Sequence, residues 1–133
     1  MDNISRLKAT TADEEFRLGQ ILTELGQNDK ALSYYYRAAT KAADQPRFRC
    51  TFGFELLAVQ RVDQAIAQFK KVNKQYPENA AGMLGLGIGL QMRDPQNEEA
   101  SILIDSALAR EPELKSQLDR FEHRLPTSGA FGG

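Results

Sequence analysis

Apolar residues in this chain return every three or four positions, in stretches of ordinary helical length broken by short polar turns. Leu18, Leu22 and Leu25 mark one stripe, Phe52, Leu56 and Val59 a second, Leu86 and Leu90 a third. Thr11 and Glu14 have capping-box spacing and open the first helix, which Gly26 closes. The pattern predicts further helices over 28–43, 46–59, 62–75, 79–92, 97–110 and 113–125. Prolines 46, 77, 95, 112 and 126 all fall outside the periodic interiors. The expected fold is all-α.

The helices also repeat. Leu18-Gly19, Phe52-Gly53 and Leu86-Gly87 are one apolar-glycine step, with glycines 34 residues apart both times. Each is followed by an alanine (Ala31, Ala65, Ala100), four residues later by Tyr35, Phe69 or Ile104, and then by Ala38, Val72 or Ala107. Pro77 and Pro112 close the second and third units. This resembles the tetratricopeptide repeat (TPR), whose signature is W-x2-L-G-x2-Y, then A-x3-F, then P. The resemblance implies a helical-hairpin solenoid of three repeats plus a C-terminal capping helix. The expected divisions are an N-terminal extension 1–10, repeats 11–45, 46–79 and 80–112, a capping helix 113–125 and a flexible tail 126–133. Where the family has Trp, the first two repeats carry Glu15 and Arg49, and the third Met83. An extra residue falls in the turn Arg93–Glu99. Leu114, Leu118, Phe121 and Leu125 form one stripe, which suits a helix covering the last repeat.

Gly82, Gly85, Gly87 and Gly89 raise the possibility of a phosphate loop. A P-loop requires Gly-Lys-Ser/Thr, and a dinucleotide fingerprint requires G-x-G-x-x-G after a strand; neither is present. Gly87 instead falls in phase with Gly19 and Gly53, Gly82 and Gly89 fall where TPR helices have small residues, and only Gly85 is surplus. Glycine costs a helix about 0.8–1 kcal/mol relative to alanine, so this helix is expected to be stable only inside the array.

A second face of the first helices carries Phe16, Gln20 and Thr23, then Cys50, Phe54 and Leu57, then Leu84, Ile88 and Gln91. In TPR proteins the matching positions line a concave peptide-binding groove. The resemblance therefore implies a groove of these nine residues, apolar over its second and third helices. It lacks the lysine and asparagine set that clamps acidic C-termini, so the expected ligand is an apolar or amphipathic protein segment.

Composition narrows the remaining classes. A net charge of −1 gives no basic excess for nucleic acid, and no apolar run is long enough to span a membrane. MDNISRLKAT has no secretory apolar core, and a lone Cys50 is compatible with a reducing cytoplasm. Cys50 and the lone His123 are too few for a structural zinc site, and acidic residues cluster at helix starts, where the dipole favours them. No cofactor, metal or catalytic residue is expected. The reading is a non-enzymatic interaction module. A chaperone like those of type III secretion translocators and a homo-oligomeric scaffold are the alternatives.

Overall fold

The computed structural model describes residues 11–125; the N-terminal extension and the tail lie outside the described residues. Thr11 caps the first helix as its spacing predicts: its hydroxyl accepts from the Glu14 amide, and the Glu14 carboxylate accepts from the Thr11 amide, both at 3.1 Å. The helices are α1 (Ala12–Glu24), α2 (Asn28–Lys41), α3 (Pro46–Ala58), α4 (Val62–Gln75), α5 (Ala80–Arg93), α6 (Glu98–Arg110) and α7 (Lys115–Phe121). Single 3-10 turns, Pro112–Leu114 and Glu122–Arg124, flank α7. Pro46 opens α3 at the helix start, where a missing amide costs nothing. Asn79 and Asn97 cap α5 and α6 by accepting from the Gly82 and Ala100 amides at 2.8 and 2.9 Å.

Each helix packs on its chain neighbours, so the six long helices form three successive hairpins, α1–α2, α3–α4 and α5–α6. The periodic glycines explain how each hairpin closes. A Cβ on Gly19 would stand 2.6 Å from the Tyr35 ring, and one on Gly53 would stand 2.6 Å from Phe69. On Gly87 it would stand 2.8 Å from Ile104. In every hairpin the glycine thus receives the large residue four positions after the recurring alanine. The two helices can approach only because that position has no side chain.

The other glycines of α5 face the opposite way, toward α4 of the preceding hairpin. Gly82 lies on Val72, Gly89 on Ile66, and a Cβ on Gly85 would be driven into the ring of Phe69. Gly85, surplus to the repeat motif, makes the tightest approach of all. α5 is consequently the most enclosed helix, with nine of its fourteen residues buried. That packing is what compensates its poor intrinsic propensity.

The hairpin turns differ for a related reason. Gly26 and Gln60, 34 residues apart, both adopt left-handed backbone, with φ of 78° and 68°. Asp94, at the next phase position, is extended at φ −144°. The extra residue of the third turn removes the need for the strained conformation there.

The positions that hold Trp in the family are filled by polar joints. Glu15 is buried, and its carboxylate meets Lys41 at 2.8 Å and Arg37 at 3.6 Å across the first hairpin. Arg49 donates to Gln68 Oε1 at 2.7 Å and to the Ala39 carbonyl at 3.5 Å, tying α3 to both α4 and α2. Exposed ion pairs then link successive repeats: Asp13–Arg47, Asp29–Arg61, Asp63–Arg93 and Glu78–Arg110, at 2.7–3.5 Å. Solvated pairs of this kind contribute about 0–1 kcal/mol each, so they tune register more than they stabilise.

Candidate functional site

The face expected to bind a partner is made by α1, α3 and α5, and its residues have unequal fates. On α1, Gln20 is exposed, while Phe16 and Thr23 are half-buried. Phe16 leans on Phe48 and Tyr35, with ring centroids 5.1 and 5.7 Å away. The Thr23 hydroxyl shares a 2.9 Å hydrogen bond with the Tyr35 phenol and donates to the Gly19 carbonyl at 3.0 Å. Burial raises the Tyr35 pKa, the Thr23 bond opposing it; Glu55 and Arg120 also act on that phenol.

On α3 and α5 the expected open apolar lining is not open. Cys50, Phe54, Leu57, Leu84 and Ile88 are all buried, and only Gln91 is half-buried. Leu57 packs toward Gly89 and Ile66, because the glycines of α5 bring that helix against α3 and α4. Phe54 has Phe69 edge-on at 4.9 Å beneath it and the ring of Phe121 stacked over it at 6.2 Å and 23°. Phe121 belongs to α7 and is itself 1% exposed.

The C-terminal helix therefore does something the apolar stripe alone did not disclose. A helix continuing the solenoid would run along α6. The backbone of α7 instead comes up to α5, and its side chains reach back to the second hairpin. Arg120 meets both carboxylate oxygens of Glu55, at 3.0 and 2.9 Å. Leu114, Leu118 and Leu125 pack against the same core cluster as Phe54, Leu84 and Ile88. An expected cover for the last repeat is anchored on the central helix of the shared face. The stripe was legible in the sequence; the acidic partner that aims it, Glu55 on α3, was not singled out.

The two reactive groups singled out in the sequence, Cys50 and His123, sit in different surroundings, one buried and one exposed. Cys50 donates weakly to Asn79 Oδ1 at 3.7 Å, and desolvation pushes its thiol up to about 12 despite Arg49 nearby. It is a neutral core residue at physiological pH. His123 is exposed, and no group of three metal-ligating side chains occurs among the described residues. Between pH 9 and 12 an unfolded chain releases the Cys50 proton while the folded chain keeps it. Stability is lost as pH rises through that window, by about 1.4 kcal/mol per unit from this group. Denaturant titrations at pH 8 and 10.5 should show wild type losing more than Cys50→Ala; parallel losses would contradict the burial of the thiol.

Away from this face, Leu22, Leu25, Lys30, Tyr34 and Arg37 border an open depression of about 460 Å³ on the first hairpin. Ile21 and Leu25 remain exposed beside it. No described helix is long and apolar enough to cross a membrane.

Consecutive helical hairpins closed by an in-phase glycine define a helical-repeat solenoid. The described residues form a TPR-like fold of three hairpins. It is similar in structure to YrrB, described as a TPR protein with an unusual peptide-binding site, at a TM-score of 0.70 and 27% identity. The match covers 86% of this chain and 59% of the YrrB chain. No family model matches the sequence, and no curated protein matches it significantly. A TPR fold of this kind is consistent with a protein-interaction module.

Proposed function

We propose that the chain is a non-enzymatic binding module that receives an apolar or amphipathic protein segment on the face of α1, α3 and α5. One observation carries this reading: the face already holds an amphipathic helix, with Phe121 seated on Phe54 and Arg120 on Glu55. Its apolar floor and acidic edge suit such a segment, and the peptide-binding site described for YrrB supports a peptide partner in general. At α1 the face is open beside Gln20, where a ligand can enter without disturbing the core. A reducing cytoplasm suits the single buried thiol.

The test is a selection of displayed helical peptides on the full chain, followed by affinity measurement with Gln20→Arg. Gln20 contributes nothing to the core, so its replacement leaves the fold intact. Selected peptides should lose about tenfold or more in affinity; unchanged affinity would place their site elsewhere. A chaperone for secreted apolar segments is a narrower version of this reading, and would keep such a client soluble. The homo-oligomeric scaffold rests on a different observation, the exposure of Ile21, Leu25 and Ile102. A strictly monomeric sedimentation profile would remove it.

A further inference from the structure

The segment on the shared face is chemically specific. α7 has seven residues between two 3-10 turns, so it has little helical stability of its own. It stays in place through side chains: Phe121 on Phe54, Arg120 on Glu55, with Leu118 one turn earlier against the same cluster. These anchors lie on α3, the middle of the three first helices. A ligand crossing the face from α1 to α5 must pass through the place that α7 fills.

Resting on the reading above, we infer that α7 is a built-in competitor for the partner site, and that the partner is a helix of the same chemistry. That helix carries an apolar residue, then, three positions later, an aromatic residue directly preceded by arginine. Charge complementarity selects the arginine: Glu55 is the acidic group that Arg120 meets, and its side chain is only 17% exposed. The stacked aromatic pair selects the ring. Because α7 is tethered through Pro112–Leu114, it competes at an effective concentration in the millimolar range. A free partner helix therefore meets a site whose open fraction is small, and its apparent affinity falls by that fraction.

The probe is a labelled synthetic peptide of residues 111–125, titrated by fluorescence anisotropy against the full chain. Wild type should bind it at least tenfold more weakly than the double variant Arg120→Glu/Phe121→Ala, whose own α7 no longer holds. Equal affinity of the two chains would overturn the inference. It would leave the broader binding reading intact, since that reading stands or falls on Gln20→Arg. No binding to the double variant, with its helical circular dichroism retained, would also overturn it.

Should the double variant fail to fold, Glu55→Arg carries the test, because this substitution repels Arg120 while leaving Phe121 unchanged. That chain should prefer a probe carrying Arg120→Glu over the unmodified probe by at least tenfold. Equal affinity for the two probes would show that the Arg120–Glu55 pair does not define the site.

Discussion

Phe69→Ala is expected to lower the stability of the chain by about 3–5 kcal/mol, the largest loss of any single truncation in the array. Phe69 is fully buried, and its ring is shared by three helices. It fills the notch at Gly53 on α3, meets Phe54 edge-on at 4.9 Å, and lies under Gly85 of α5. Removing it opens a cavity between the second and third hairpins, where α5 cannot follow because Gly87 is held by Ile104 on its other side. A domain of this size has roughly 5–15 kcal/mol to lose, so a substantial share would go. Urea titration should show the loss with little change in slope, and melting should fall by roughly 10–20 °C. A loss below about 1 kcal/mol would mean that the hairpins are joined elsewhere.

Gly85→Ala should destabilise as well, although helix propensity alone argues for the opposite sign. Alanine gains about 0.8–1 kcal/mol over glycine inside a helix. Against that, the new methyl group enters the Phe69 ring. The ring has no free direction in which to retreat, being already pressed on Gly53 and Phe54. Overpacking of this kind costs about 1–3 kcal/mol and sometimes more, and here the overlap is the deepest among the described glycines. A net loss of about 2 kcal/mol is expected from these two terms. The double variant Phe69→Leu/Gly85→Ala should lose less than the sum of its single variants. A stabilised Gly85→Ala chain would refute the close approach.

These two positions show how far the sequence can be read. Gly19, Gly53 and Gly87 recur in phase with Tyr35, Phe69 and Ile104, so the closure of each hairpin is visible as spacing. Helix starts are legible for the same local reason, with Thr11, Pro46, Asn79 and Asn97 acting within one turn of themselves. Gly85 is not legible, because the ring it accommodates belongs to the preceding repeat, off the motif. Glu15 and Arg49 stand where tryptophan would be, and they make sense only once Lys41 and Gln68 are placed opposite them.

The shared face is visible in the sequence as a row of positions, but its closure is not. Cys50, Phe54, Leu57, Leu84 and Ile88 are apolar because they are inside. An apolar stripe on one helix has the same appearance whether solvent, another helix or a distant segment lies over it. What decides between these is the path of the chain after Pro112, and that path is set by the Arg120–Glu55 pair, 65 residues apart. Separation of that order leaves no periodic trace.

The match between Gly85 and Phe69 also fixes the order of the units. At the phase position of Phe69 the first repeat has Tyr35 and the third has Ile104, while the counterpart of Gly85 in the second repeat is Thr51. A chain in which the second repeat was duplicated would set Thr51 of the copy against Phe69 of the original, where the native chain has Gly85. Each unit thus carries an address, written as a bulge on one hairpin and a missing side chain on the next. Unlike arrays of consensus modules, this solenoid cannot be lengthened by copying its second repeat in place.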